Sequence, residues 1–278
     1  MPATAGVGLK TKHFRAALEH PDPDLWVEVH PENYMSDGGP RLAWLDAIRA
    51  RRPLSLHGVG ASLGGGEPLD ADHLKRLKAL VERYQPQSVS EHASWSAQGG
   101  VFFADLLPIP RTKSALDALC ANVQQMQDAV GRPILIENPT IYIPLKAEMD
   151  EPDFLEEVCK RTGCGLILDV NNVFISAQNA GFDAYDYLGR VDPALVGEIH
   201  VAGHIEDPNI GGLLIDNHGA PVCDPVWEML AFTLRRMGPK PVLLERDNDV
   251  PSFEDLMDER NRAAASIAQA ATGARAAA

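Results

Sequence analysis

Short apolar runs that each end in a residue able to bind a metal ion recur along this chain. The clearest is residues 165–168, which lead into Asp169 and then Asn171 and Asn172. A run of this length next to glycine is typical of a buried parallel strand. Six such runs end in an imidazole or a carboxylate: 54–56 before His57, 88–91 before His92, 134–136 before Glu137, 165–168 before Asp169, 197–199 before His200 and 242–244 before Glu245.

The spacing of these runs predicts the fold. With two further candidate strands near residues 7–9 and 25–29, the chain has eight strands, each followed by a helix or by a loop and a helix. Eight such units in about 260 residues predict an α/β fold of the (β/α)8 TIM barrel type, in which all strands end on one face. A doubly wound sheet is the alternative, but it would gather its ligands at one switch point.

Composition narrows the classes of protein to which this chain can belong. The chain has 278 residues, of which 45% are hydrophobic, and no linker divides it. We therefore expect one catalytic domain over residues 1–262 and a disordered alanine-rich tail over residues 263–278. The net charge of −14 argues against nucleic-acid binding. Without a visible signal peptide, a membrane-spanning run or a C-x-x-C pair, the sequence predicts a cytoplasmic protein with reduced thiols.

Convergence of the strand ends on one face would create a metal centre, to which loops would add further donors. The predicted metal ligands are His57, His92, Glu137, Asp169, Asn172, His200, Asp216, His218 and Glu245. One ion takes roughly four to six ligands, and the carboxylates would repel one another without cations, so two or three ions are expected. Imidazole, carboxylate and amide donors without thiolate suit iron, manganese or zinc. Glu137 and Glu245 are the predicted bridging carboxylates.

Neighbouring polar residues have weaker assignments. His204 lies beyond a strand end, and we expect it to orient a ligand rather than to bind metal. His73, on a predicted helix, is expected at the surface. Four further residues either line the substrate cleft or serve packing and turns: Glu28, His30, Glu32 and Asn33. A polar barrel mouth without metal is the simpler alternative, which a ring of several histidines and carboxylates disfavours.

Several motifs in order along the chain carry a family resemblance. They are Glu32-Asn33-Tyr34-Met35, Ser55-Leu56-His57-Gly58, Ser90-Glu91-His92, Ile136-Glu137-Asn138, Leu168-Asp169-Val170-Asn171-Asn172, residues 198–204 (EIHVAGH) and residues 216–222 (DNHGAPV). With these motifs the chain resembles the multinuclear non-heme iron-dependent oxidative enzymes, which are related to the xylose-isomerase-like barrels. The resemblance extends over roughly residues 6–261.

The resemblance implies a xylose-isomerase-like TIM barrel that holds two or three irons in mixed Fe(II)/Fe(III) states. Such enzymes use O₂ to oxidise cysteines of ribosomally made precursor peptides, for example to thiooxazoles that bind copper, and a partner protein often holds the leader of the precursor. Asp169, His200 and Glu137 would carry the catalysis. By motif, the central iron pair would be held by His57, His92, Glu137, Asp169, His200 and Glu245, and the third iron by Asn172, Asp216 and His218.

Two other functions fit the same residues. A sugar isomerase or hydrolase could use zinc or manganese on these ligands to polarise a hydroxyl group or water, and it would consume no O₂. A non-catalytic protein that binds metal and peptide would leave the mass of the peptide unchanged.

Overall fold

Strands and helices alternate along the chain. The computed structural model describes residues 1–145 and 147–277. The strands are β1 (Ala5–Gly8), β2 (Trp26–Val29), β3 (Leu54–Gly58), β4 (Ser88–His92), β5 (Trp95–Gln98), β6 (Val101–Leu107), β7 (Leu135–Glu137), β8 (Gly165–Asp169), β9 (Val196–Val201), β10 (Ile205–Glu206), β11 (Leu214–Ile215) and β12 (Val242–Leu244). The α-helices are α1 (Phe14–Glu19), α2 (Pro40–Arg49), α3 (Ala71–Tyr84), α4 (Lys113–Val130), α5 (Glu151–Thr162), α6 (Val170–Ala180), α7 (Ala184–Arg190), α8 (Asp224–Met237) and α9 (Phe253–Ala277).

Eight of the strands form a closed barrel in the order β1-β12-β9-β8-β7-β4-β3-β2. Strand β1 pairs in parallel with β2 on one side and with β12 on the other, so the sheet has no free edge. The predicted (β/α)8 TIM barrel is therefore confirmed. The doubly wound alternative is wrong, because such a sheet stays open at both edges.

The strand register brings the ends of neighbouring strands to one level. His92 lies opposite Glu137 across β4 and β7, and Asp169 lies opposite His200 across β8 and β9. Side chains alternate between the two faces of a strand, so residues that pair in this way point to the same face. Both pairs therefore lie together at the carboxyl end of the barrel.

The chain passes from β8 to α6 without a loop. Asp169 ends the strand and also caps the helix, since its Oδ1 accepts a hydrogen bond of 2.6 Å from the backbone N–H of Asn172. A carboxylate is among the best N-cap groups because it satisfies a free N–H group of the first turn. This cap fixes Asn172 beside Asp169 at the barrel mouth.

Two hairpins extend from the barrel mouth. Strands β5 and β6 form an antiparallel pair that turns at Gly99 and Gly100, whose φ angles are +59° and +74°. Strands β10 and β11 form a second, shorter pair. Neither hairpin was among the predicted elements, although adjacent glycines between two short runs, as at Gly99 and Gly100, are a known hairpin signal.

The carboxyl-terminal segment is helical, so the expectation of a disordered tail is wrong for residues 263–277, while residue 278 lies outside the described residues. Helix α9 continues to Ala277, and its residues Ala263, Ile267 and Ala270 are buried against the rest of the core. Alanine has the highest helix propensity, and a spacing of four and three residues places these side chains on one face. Within the described residues, neither α9 nor any other helix has the length and apolarity needed to cross a membrane.

Candidate metal centre

The predicted ligands occupy the carboxyl-terminal mouth of the barrel in three neighbouring groups. The first group consists of His57, the last residue but one of β3, and of His92 and Glu137, which end β4 and β7. His57 Nε2 lies 2.9 Å from Glu137 Oε2, His92 Nε2 lies 3.6 Å from the same oxygen, and the two Nε2 atoms are 3.3 Å apart. Three donor atoms at such mutual distances can bind one cation.

Hydrogen bonds on the far side of both imidazoles orient their Nε2 atoms. The Ser90 hydroxyl donates to the Leu56 carbonyl oxygen, so its oxygen accepts a hydrogen bond from His57 Nδ1 at 2.8 Å. His92 Nδ1 donates to the Gly58 carbonyl oxygen at 3.1 Å. A neutral imidazole that carries its proton on Nδ1 presents a lone pair on Nε2. Both rings are therefore positioned to bind metal through Nε2.

The second group is Glu137, Asp169, His200 and Glu245, whose ligand atoms all lie within 4.8 Å of one another. His200 Nδ1 is 3.6 Å from Glu137 Oε2 and 3.6 Å from Glu245 Oε2. Asp169 and His200 are completely buried. With Oδ1 of Asp169 engaged in the helix cap, Oδ2 remains available to a metal ion.

Two carboxylates beneath His200 hold its ring. His200 Nε2 lies 3.4 Å from Glu198 Oε1 and 3.8 Å from Glu28 Oε1, and Ser55 donates to Glu28 Oε2 at 2.7 Å. A carboxylate on the far nitrogen of a ligating histidine fixes the ring and raises its basicity. Glu198 was not among the predicted site residues, although a position two residues before His200 points to the same face of β9.

The third group lies at the outer rim of the mouth. His218 Nε2 is 2.8 Å from Asp216 Oδ1, and the Thr140 hydroxyl lies 2.7 Å from Asn172 Oδ1 and 3.0 Å from Asp216 Oδ2. The structure therefore brings Asn172, Asp216 and His218 together, as the sequence predicts. Unlike the second group, Asp216 and His218 keep about one sixth of their side-chain surface exposed (16% and 15%).

Side chains that are not themselves predicted ligands support this outer group. His218 Nδ1 donates to Asp247 Oδ2 at 2.9 Å, which leaves Nε2 facing Asp216. His204 Nδ1 lies 2.8 Å from Asn171 Oδ1, and Asn171 Nδ2 donates to Asp216 Oδ1 at 3.0 Å. His204 thus acts on Asp216 through Asn171, which agrees with the orienting role expected for it.

A close backbone contact holds the loop that carries Asp216 and His218 in place. A Cβ atom at Gly203 would lie 1.9 Å from the carbonyl oxygen of Ala220, so only glycine fits where the end of β9 meets this loop. The Tyr142 hydroxyl also accepts the backbone N–H of Asp216 at 3.0 Å. The position of the outer ligands therefore depends on contacts between loops.

The residues expected near the cleft separate into two sets. Glu28, His30 and Asn33 line a cavity beside the centre. Glu32 instead has a turn role, because its Oε1 accepts the backbone N–H groups of Val59 and Gly60 at 3.0 and 2.9 Å. His73 is half-buried, with Nε2 3.9 Å from Glu32 Oε1, so its expected surface position is wrong.

Titratable side chains of the candidate centre have strongly shifted pKa values. Burial alone would raise the pKa of Glu137, but the imidazoles of His200, His92 and His57 together lower it well below its ordinary value. Burial and the nearby charge of Glu137 raise the pKa of Asp169 well above its ordinary value. Burial would lower the pKa of His92, yet Glu137 and Glu91 raise it to about 9. Without cations, this much buried negative charge requires bound protons.

Several buried polar atoms of the candidate centre have no hydrogen-bond partner among the described residues. They are Glu137 Oε2, Asp169 Oδ2, both ring nitrogens of His200 and Nε2 of His218. Unpartnered buried polar atoms are rare and costly, and metal binding is one way to satisfy them. The buried clusters thus could bind metal ions. The four cysteines are free thiols, and none belongs to a cluster that the described residues form.

Solved structures of low sequence identity share the fold. A xylose isomerase domain protein from Alicyclobacillus acidocaldarius aligns with a TM-score of 0.62 at 14% identity, covering 96% of this chain and 99% of that one. Endonuclease IV from Thermus thermophilus aligns with a TM-score of 0.61 at 16% identity, with the same coverage. A D-psicose 3-epimerase reaches 0.58 at 12% identity, covering 95% and 97%. These similarities confirm the xylose-isomerase-like barrel.

Relatives of higher identity cover nearly the whole chain. A UPF0276 protein of Caulobacter vibrioides is 55% identical over 273 residues, which are 98% of each chain. A UPF0276 protein of Bordetella bronchiseptica is 49% identical over 273 residues, or 97% of this chain and 94% of the relative. The family model described as "RiPP precursor modification enzyme MbnB/TglH/ChrH", for ribosomally synthesised and post-translationally modified peptides, matches residues 4–268. The chain therefore belongs to the MbnB/TglH/ChrH family of RiPP precursor modification enzymes.

Proposed function

We propose that this enzyme uses two or three iron ions and O₂ to oxidise cysteine residues of a ribosomally made precursor peptide. The observation that carries the proposal is the position of Glu137 Oε2, which lies 2.9 Å from His57 Nε2 and 3.6 Å from His200 Nδ1. One carboxylate oxygen that faces two ligand groups favours a centre with more than one ion. The imidazole and carboxylate donors suit iron.

Iron at this centre would act as a Lewis acid that lowers the pKa of the substrate thiol, and it would pass electrons from cysteine to O₂. Among the protein groups, Glu137, Asp169 and His200 have the central part in holding it. Glu198 and Glu28 keep the ring of His200 in place, with Nδ1 directed to Glu137 and Glu245. Complete burial of Asp169 and His200 excludes bulk water from the floor of the site.

The product that we favour is a thiooxazole. Its ring forms when the carbonyl oxygen of the preceding residue bonds to the cysteine Cβ, while the sulfur stays on that carbon. The residue loses four hydrogen atoms, and O₂ takes up the four electrons and four protons as two molecules of water. A sulfur and a ring nitrogen are donors that copper accepts, so a copper-binding peptide is the proposed product. A separate partner protein would hold the leader of the precursor.

The test of the reaction is to incubate the iron-loaded enzyme with O₂ and a cysteine-containing peptide encoded beside its gene. We expect O₂ consumption and a peptide that is lighter by four hydrogen atoms for each modified cysteine. The variant His200→Ala should show neither, while His20→Ala, a histidine outside the three ligand groups, should keep both. An unchanged peptide mass with the active preparation would contradict the proposal.

Elemental analysis of protein expressed with ample iron and purified without chelators tests the metal. Two to three irons per chain would support the oxidative function. One or two zinc or manganese ions with negligible iron would instead favour an isomerase or hydrolase that polarises a hydroxyl group or water.

A further inference from the structure

A cavity of about 290 Å³ lies beside the metal centre. Its walls come from the segments that follow β1 and β2, from the first turn of α2 and from the segment that follows β12. Glu28 and Glu245 lie in its lining, and Glu245 belongs to the second ligand group. A molecule in this cavity would therefore be next to the reacting atoms. Its size is at the low end of small-molecule sites, which suits one or two residues of a peptide better than a folded partner.

The cavity is lined by three cationic side chains, Lys10, Lys12 and Arg41. The chain as a whole is acidic, with a net charge of −14. Lys10 pairs with Asp247, and Lys12 donates to the carbonyl oxygen of Val250, so both ammonium groups are held by the segment that follows β12. Arg41 is exposed on the first turn of α2, where its planar guanidinium is accessible to a ligand. Such a group binds a carboxylate through two parallel hydrogen bonds.

Neutral donors complete the lining. Tyr34 is buried, and burial raises its pKa to about 12, so its hydroxyl stays protonated at neutral pH. Asn33 adds an amide beside it. The acidic residues of the lining are already engaged, because Asp247 contacts Lys10 and His218, while Glu28 and Glu245 face His200. Because Asp247 also neutralises Lys10, the cavity offers a ligand the charges of Arg41 and Lys12 together with the hydrogen-bond donors of Tyr34 and Asn33.

We propose that this cavity binds a carboxylate of the substrate peptide and thereby sets which cysteine reaches the metal centre. The proposal rests on the proposed function, since it takes the substrate to be a cysteine-containing peptide. The carboxylate is either the carboxyl terminus of the peptide or the side chain of an acidic residue next to the cysteine. Arg41 and Lys12 are the groups that receive it.

The experiment measures binding of short synthetic peptides to the iron-loaded protein by calorimetry without O₂, so that no turnover occurs. One pair is an N-acetylated tripeptide that ends in cysteine, as the free acid and as the amide. A second pair is an amidated tetrapeptide with glutamate or with glutamine after the cysteine. Tighter binding of the free acid in the first pair would identify the carboxyl terminus as the group that the cavity binds. Tighter binding of the glutamate peptide in the second pair would identify an acidic side chain.

We expect at least one of the two acids to bind about tenfold more tightly than its neutral counterpart, as for one charge-assisted hydrogen bond. Arg41→Gln should remove this preference, and Lys12→Gln should reduce it. Arg76→Gln, which changes an exposed arginine on α3, is the matched control and should preserve it. Thermal unfolding of each variant shows whether it is folded.

Equal binding of acids and neutral peptides, absence of binding by both acids, or an unchanged preference in the Arg41→Gln and Lys12→Gln variants would overturn the proposal. The proposed function is read separately, from the mass of the full precursor peptide after O₂ is admitted. Oxidised peptides without a preference for the carboxylate would refute the cavity assignment alone. A clear preference for the carboxylate with unchanged peptide mass would refute the oxidative function alone.

Discussion

The candidate metal centre has an inner and an outer part that are built differently. The inner part consists of predicted ligands at the ends of barrel strands: His57, His92, Glu137, Asp169, His200 and Glu245. The outer part includes Asp216 and His218, which lie on the segment between β11 and α8. The inner ligands are buried and their levels are fixed by strand register, whereas the outer ligands are partly exposed and depend on side-chain contacts between loops.

This difference predicts that the two parts bind metal with different strength. Preorganised ligands lose little conformational freedom when an ion binds, and the barrel holds the inner ligands in place whether or not an ion is present. The outer ligands are positioned by Thr140, Asn171 and Asp247. We therefore expect the outer ion to exchange more readily than the inner ions.

The largest effect should come from Asp169, which serves both the inner centre and the fold. Asp169→Asn keeps a side chain that can cap α6 but removes the charged ligand, so turnover should fall by at least about a thousandfold with little loss of stability. Asp169→Ala should lose the cap as well and be less stable than the Asn variant by about 1 kcal/mol. Turnover assays of both variants measure the loss of activity, and thermal unfolding measures the difference in stability. Full activity of Asp169→Asn would exclude Asp169 as a ligand.

A smaller effect is expected at the outer part. His218→Ala should weaken binding of the outer ion by at least about 10–100-fold. Removing a residue that only orients a ligand already lowers metal affinity by this factor, and His218 is a predicted ligand itself. Metal analysis should then show one ion fewer per chain, with the inner ions retained. Loss of all metal from this variant would show that the two parts do not bind metal independently.

The scaffold of the outer part can be tested at Gly203. Gly203→Ala places a methyl group against the Ala220 carbonyl, so the loop must move, at an expected cost of about 1–3 kcal/mol and with loss of the outer ion first. Gly189→Ala is the matched control, since a Cβ there has nothing within 4 Å and lies in α7. It should leave stability unchanged or raise it by up to about 1 kcal/mol. Equal destabilisation by both changes would contradict the role of the close contact.

The smallest effect concerns the pH dependence of the metal-free protein. The pKa of His92 rises from 6.5 to about 9 on folding, so the stability that it contributes is complete below pH 6.5 and is lost as the pH rises through 9. The raised pKa of Asp169 acts in the same direction. With a chelator present, the melting temperature should therefore fall from pH 6.5 to 9. The melting temperature of the metal-loaded protein should change less over this range. If the melting temperature of the metal-free protein instead rises with pH, the raised pKa values of His92 and Asp169 are contradicted.

The sequence predicts where the inner residues lie, because buried parallel strands leave a clear apolar pattern and their last residues must meet at one end of a closed barrel. Asp216 and His218 were found only from their spacing and from the family resemblance. Asp247 was missed although it lies two residues beyond Glu245, since its role depends on the position of a distant loop that carries His218.

Two other features of the structure differ from what the sequence predicts, and local composition does not reveal the physical causes. The alanine-rich end suggested disorder, but Ile267 and the small residues around it pack as the buried face of α9. Glu28 and Glu198 are charged residues inside the barrel, where apolar side chains are the usual expectation. Their contacts with His200 explain why they are there.

The strand order has a consequence for how the enzyme matures during synthesis. Strand β12, which is the last of the barrel strands in the sequence, inserts between β1 and β9 and delivers Glu245 to the centre. Since a chain is made from its amino terminus, the inner ligand set cannot be complete on the ribosome before this strand emerges. Closure of the barrel and completion of the predicted inner ligand set therefore coincide.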